Sequence, residues 1–423
     1  MDFQTSANKF AILRRWLVAL ILALAVTPCL WAIDLKPTFR GFVSGGILLQ
    51  DGEQGLNEGE QHVELFEAAL NASIFPFDKT LISGQVFVFH LGDDDDIDPK
   101  LDYLYLDHEV TQEFGLRAGR IRRKEGFFLE TIDIDATRTF IRLPAGVYVL
   151  DLRDINTSID GFSVYGTVDT ENWGSFSYDL YGGDIDFDDQ DVFDAISTIA
   201  FQSFEGTFTN PAIGLDTIYG GQLRWYSNFG LTLAYSYARY NDFSIRGDMS
   251  LAEGLPVQDY YSESSLSWHV LSSEYVMDDW VFRAEYLAGR SSDGRVFLDG
   301  VPPNSSGFGD STNLDGWYVS AERFISDKLS IGTYYTEYYA DSSDRDGSEL
   351  VEDRLVSNMH NFRNLALGFS YQWRESTLLK MEAHWQQKLR IVGDSRNTLT
   401  ERFPSSRVYD TTLGLAFKVT LSF

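Results

Sequence analysis

The sequence predicts an all-β chain closed into a transmembrane antiparallel β-barrel of about 16 strands, with 18 the nearest other even count. Three observations predict it. Apolar side chains alternate with polar or small ones along much of the chain, and tight turns recur at regular intervals. Beyond the N-terminus no stretch is long and apolar enough for a spanning helix. A membrane span must then be built from strands, because lipid satisfies no backbone polar group.

The N-terminus is set apart from the rest. Lys9, Arg14 and Arg15 precede the apolar run Trp16 to Val26, and Pro28 to Ala32 supply a break and a small-residue exit. A basic segment, a short apolar run and a small residue make a secretory signal peptide over 1–32. The run falls short of the ~20 residues of a spanning helix. Residues 33–423 are then one barrel domain. The single cysteine, Cys29, leaves with the signal, so the mature chain has no disulfide to lean on.

The clearest strand is the last. Leu413, Leu415, Phe417, Val419, Leu421 and Phe423 share one face, while Thr412, Gly414, Ala416, Lys418, Thr420 and Ser422 share the other. Leu379, Met381, Ala383 and Trp385 are likewise interleaved with Lys380, Glu382, His384 and Gln386. Grease on one side and charge on the other suits lipid outside and water inside. Short turns fall at 77–80, 111–115, 170–174, 227–230, 278–280, 326–328 and 374–376. Longer polar stretches lie between them, near 51–62, 92–100, 124–158, 185–216, 244–262, 291–312, 342–360 and 391–407. Seven short turns and eight long loops join sixteen strands, the short turns periplasmic and the long loops external. Phe75, Phe77, Trp173, Phe229, Trp280, Phe324 and Trp373 stand beside the turns, where an interfacial aromatic girdle belongs.

The third loop, 124–160, differs from the others. It carries Phe127, Phe128, Leu129, Phe140, Ile141 and Val147 to Leu150, which an external loop has no means to bury. Folded into the lumen it buries them, since irregular backbone is tolerated at membrane depth where it lines a cavity. Arg120, Arg122, Arg123, Lys124, Arg138, Arg142 and Arg153 interleave there with Glu130, Asp133 and Asp135. Opposed charges across a narrow passage are the expected pore constriction. Arg283, Glu285, Lys380, Glu382 and His384 are expected on the lumenal wall. The strand Leu81 to Leu91 is apolar on both faces, which a covering third loop would explain.

At this point the chain shows a resemblance. Leu116-Arg117-Ala118-Gly119-Arg120, with Gly126, Glu130, Asp133, Arg138, Leu143-Pro144, Tyr148, Arg153-Asp154, Asp160-Gly161 and Tyr165-Gly166, resembles porin-like proteins related to the phosphate-selective porins. The resemblance implies a sixteen-stranded outer-membrane porin with its third loop inside the pore, often a homotrimer. It also implies that Val419, Leu421 and the terminal Phe423 form the signal read by the barrel-assembly machinery. The chain departs from that family in carrying Lys124-Glu125-Gly126 where relatives usually place a proline, and in having only nine lysines.

The remaining candidates are weaker. A net charge of -29 argues against nucleic acid, whose phosphates need basic partners. The run Asp93, Asp94, Asp95 and Asp96 offers hard oxygen ligands for loosely held Ca²⁺ or Mg²⁺, or for bridges to lipopolysaccharide and other outer-membrane lipid. It lacks the spacing of a true calcium loop, and no firm metal site or cofactor is expected. His62, His90, His108, His269, His360 and His384 show no metal or triad spacing, so the chain is read as no enzyme. The function expected in the cell outer membrane is passive diffusion of small hydrophilic solutes and ions, with cations preferred. A channel specific for a sugar, an organic acid or phosphate is the alternative, left open by Tyr334, Tyr335, Tyr338 and Tyr339. A non-conducting barrel serving as adhesin or anchor is the other.

Overall fold

A computed structural model describes residues 36–51, 62–91, 99–148, 157–185, 207–250, 257–298, 313–339, 341–343, 345, 361–392 and 406–423. The expected signal peptide, Arg153 and the run Asp93–Asp96 lie outside the described residues. The strands are β1 (Thr38–Asp51), β2 (His62–Phe77), β3 (Thr80–Leu91), β4 (Lys100–Thr111), β5 (Phe114–Arg122), β6 (Ser158–Thr170), β7 (Gly174–Asp184), β8 (Thr207–Gly214) and β9 (Thr217–Tyr226). They continue as β10 (Leu231–Ser250), β11 (Gln258–Met277), β12 (Trp280–Leu298), β13 (Asn313–Ser326), β14 (Leu329–Tyr339), β15 (Phe362–Arg374), β16 (Thr377–Val392) and β17 (Ser406–Ser422).

Every pairing is antiparallel and, apart from the β1–β17 closure, joins chain neighbours with one instructive exception. β7 pairs with β9, and both β8 and β9 pair with β10. β8 and β9 are therefore two halves of one stave, and the barrel has the sixteen staves read from the turns. The break at Leu215-Asp216 faces a bulge in β10, where Asp242 takes a left-handed φ of 52°. β1 and β17 close the cylinder in an unbroken register from Phe42↔Ser422 to Asp51↔Leu413. Closure matters because an open edge in lipid would strand its N–H and C=O groups.

The seven short turns sit where the sequence put them, and two of them use Lys79 and Asp278 in the left-handed region. The external segments differ from expectation. β10, β11 and β12 run for 20, 20 and 19 residues, well past the ~10 that cross a membrane, and they take over stretches read as loop. Above the lipid the outer face no longer needs grease, so the two-residue beat fades while the hydrogen-bond ladder continues.

The outer face carries the apolar phase. Leu413, Leu415, Phe417, Val419 and Leu421 are exposed while Ala416, Lys418 and Thr420 between them are buried. Phe75, Phe77, Trp173, Phe229, Phe324 and Trp373 stay exposed beside the short turns, and Trp280 stacks on Phe282.

The seam fixes a glycine. Gly41 N–H donates to Phe423 O and Phe423 N–H returns to Gly41 O, each at 3.0 Å. A Cβ on Gly41 would sit 2.6 Å from both the Phe423 ring and Ala69 O, whereas Gly45 has open space around it. Gly41→Val is expected to spoil closure and Gly45→Ala to leave it intact. Heat-dependent mobility in gel electrophoresis checks this: the valine variant should lose the folded band that the alanine variant keeps.

Candidate pore constriction

After β5 the chain turns into the lumen from Arg123 through Tyr148. β5, which leads into this segment, requires glycine at 119, where φ is +127° and an added Cβ would collide with Leu104 O of the neighbouring strand. Irregular backbone at this depth must find partners for its N–H groups, and it finds them on the wall. Gly126 N–H donates to Ser236 Oγ (3.1 Å), Phe127 N–H to Glu285 Oε1 (3.0 Å) and Thr139 N–H to Glu322 Oε2 (2.8 Å). Ile141 and Arg142 N–H both donate to Glu382 Oε2, and Gly146 N–H donates to Thr336 Oγ1. Carboxylates and hydroxyls projecting inward from five staves thus do for the loop what a ladder does for a strand.

Packing completes the docking. Phe128, Leu129, Ile132, Leu143, Val147 and Tyr148 bury against Val270, Leu287 and Tyr318 of β11, β12 and β13. Phe140 meets Tyr334 edge-on at 4.8 Å, and Ile141 packs on Leu48 and Ala416. At ~25 cal/mol per Å² of apolar area removed from water, these side chains supply the drive and the hydrogen bonds supply the address. The loop's exposed edge is Glu130, Ile134, Ala136 and Thr137.

Three charge networks tie this loop to the walls. In the first, Arg122 binds Asp102 of β4 and Asp133 of the loop, and also donates to Glu130 O (2.9 Å). Arg117 of β5 bridges Asp107 and Asp179, and Lys124 reaches Glu130 (3.4 Å) and Asp179 (3.5 Å). In the second, Asp135 lies among Lys418 (2.9 Å), Arg138 (3.5 Å) and Lys380 (3.8 Å) and accepts from Thr420 Oγ1 (2.6 Å), while Lys418 also binds Glu67. Burial alone would push the Asp135 carboxyl up, but these three cations hold it well below the usual carboxylate range. In the third, Arg283 of β12 pairs with Glu274 and Glu322 and lies over the Phe128 ring.

The expected residues divide accordingly. Arg122, Lys124, Glu130, Asp133, Asp135 and Arg138 gather on the loop and the wall it touches. Arg123 is fully buried, bonded to Glu125 and Tyr240, and anchors the loop's start. Arg120 stands apart, 4.0 Å from Asp160 on the face that Phe162 shares, which is the outer one. Arg142 covers Glu382. Among the wall residues, Glu285, Lys380, Glu382 and His384 point inward as the alternation requires, yet all are 2–3% exposed. They lie beneath the loop rather than in open water: Glu285 accepts from Tyr148, Ser272, Tyr318 and Phe127, and Lys380 donates to Phe140 O (2.8 Å). They stand on the inward phase of the wall, and this cover separates them from open water.

The strand β3 departs from expectation in the opposite sense. The loop reaches it at Gln85, which donates to Asp133 (3.2 Å), but Phe89 higher up remains 42% exposed. The sequence reading also passed over Glu67, Asp102, Asp107, Arg117, Asp179, Glu274, Glu322 and Lys418. Except for Asp102, which sits at a register shift between β3 and β4, each is a charge on the inward beat of a strand, so their signal was available. Among the described residues there is no cluster of metal-ligating side chains.

No protein-family model and no curated protein matches the chain. Solved structures do. The outer-membrane-expressed OmpT of Vibrio cholerae is 11% identical at TM-score 0.53, covering 93% of this chain and 99% of that one. An anion-selective porin from Comamonas acidovorans is 10% identical at TM-score 0.53, covering 92% and 100%. OmpF of Salmonella typhi, solved with daunomycin, is 9% identical at TM-score 0.53, covering 92% and 98%. The fold is that of the outer-membrane porins.

Proposed function

We propose that this chain is an outer-membrane porin through which small hydrophilic solutes and ions diffuse passively, with cations preferred. One observation carries the reading: a loop docked inside the barrel by charge and packing, with a polar, ion-paired wall around it and grease outside. The preference for cations follows from the three networks. Glu67, Asp102, Asp107, Glu130, Asp133, Asp135, Asp179, Glu274 and Glu322 outnumber Arg117, Arg122, Lys124, Arg138, Arg283, Lys380 and Lys418. Fixed charge of one sign in a narrow, low-dielectric passage raises the local concentration of the opposite ion.

A homotrimer is the proposed assembly, one similar structure being a trimer form of the Vibrio cholerae protein. Lipid, lipopolysaccharide and the barrel-assembly machinery are the proposed partners, and the reading assigns the chain no enzymatic chemistry. In planar bilayers across a KCl gradient, the reversal potential is expected on the cation-selective side. A clearly anion-selective value would replace this reading with the phosphate-type channel of the resemblance.

A further inference from the structure

We infer that the β2–β4 wall of the lumen is a binding track for an uncharged carbohydrate, an inference that rests on the channel reading and names its solute class. The observation is the exposed ring of Phe89 (42%), backed by the buried Phe87 and the half-buried Tyr103 and Tyr105, on a face that water should line. Register fixes their direction. Phe89 pairs with Glu67, Phe87 with Ala69 and Gln85 with Asn71, and Glu67 is held by Lys418 beside the loop tip, so this phase of β3 faces inward. Phe87 and Phe89 stack nearly parallel, with centroids 6.5 Å apart and planes at 13°. Below them Tyr103 and Tyr105 of β4 form a second pair at 5.5 Å.

Between the two pairs sit amides. Gln85 donates to Asp102 (2.8 Å) and accepts from Tyr103 OH (3.4 Å), while the Asn71 amide donates to Tyr103 OH and Ser83 Oγ. Exposed phenylalanine in a hydrated lumen costs free energy unless something covers it. A sugar ring does so: it presents a C–H face to an aromatic plane and hydroxyls around its edge to planar amides and carboxylates. An ion has no such face, and a purely apolar solute has no use for the amides. The column passes Asp133, where the loop meets this wall, so a solute on the track would lie in the narrow part of the passage and obstruct current.

Single-channel recording in KCl tests this with maltotriose and a polyethylene glycol of equal hydrodynamic size. Maltotriose is expected to interrupt current at concentrations where the glycol does not. Phe89→Ala should raise its half-blocking concentration roughly fivefold, the factor that about 1 kcal/mol sets, and Phe89→Trp should restore it. Phe89→Leu keeps the apolar bulk without the ring face and should behave as the alanine variant, so a folding defect cannot imitate the result. An open channel that both solutes obstruct alike, or block unchanged in Phe89→Leu, overturns the track and leaves the porin reading standing. A folded protein with no current overturns both.

Discussion

Asp135→Ala is expected to release the third loop from the wall and raise single-channel conductance. Asp135 is 3% exposed, and its carboxylate is the shared partner of Lys418, Lys380 and Arg138. Without it Lys418 and Lys380 remain buried near each other with Glu67 as the acid on Lys418, and breaking a buried ion pair from one side costs about 3–5 kcal/mol. The loop tip can escape that cost by leaving the wall, because water then reaches both ammonium groups. The barrel stays closed, since its ladders involve none of these side chains. Larger, noisier current steps together with protease cleavage within 123–157 of a folded barrel would confirm the release. The sign with pH follows from the same geometry. A carboxyl held below its ordinary value contributes fully above the unfolded value of ~3.9 and is lost only as pH falls through the depressed one. Loop docking through Asp135 should therefore be flat from about pH 5 to 6, and a jump in conductance in that window would remove Asp135 as the holder.

How much of this was legible in the sequence depends on range. The two-residue beat of Leu413 to Phe423 depends on nothing but its own strand, and the face and the lipid side were read from it correctly. The turns are equally local: Lys79 and Asp278 do their work within two residues. The inward third loop was legible because Phe128, Leu129 and Phe140 had no other place to go. What the loop covers was not legible. Glu285 and Glu382 look like any lumenal carboxylates until Phe127, Ile141 and Arg142, more than a hundred residues away, are seen to donate to them. Arg120 was misplaced for a smaller reason. The beat runs unshifted through β5 and sets Arg120 on the outer face with Leu116 and Ala118, opposite to Arg117; the run of basic residues was read as one cluster without that count. β8 was missed because Pro211 and the break at Leu215-Asp216 read as loop, although β10 supplies the ladder that holds both halves.

Asp133 and Arg122 form the contact between the loop and the β3–β5 wall, and cutting it from either side is expected to widen the passage. Arg122 holds Asp102 and Asp133 together and Gln85 supports both carboxylates. Asp133→Ala removes a negative charge and leaves Arg122 with Asp102; Arg122→Ala removes the cation that joins them and leaves two carboxylates facing each other. Both variants lose the tether, so both should conduct more than the parent. Their selectivities should part. The passage loses acid in the first and base in the second, so the reversal potential should move toward anions for Asp133→Ala and toward cations for Arg122→Ala, most clearly at low salt where screening is weakest. A pair that merely pins the loop out of reach of ions would change conductance in both variants and shift neither reversal potential. Shifts of opposite sign therefore place these two side chains at the edge of the permeation path, and matched or absent shifts remove them from it.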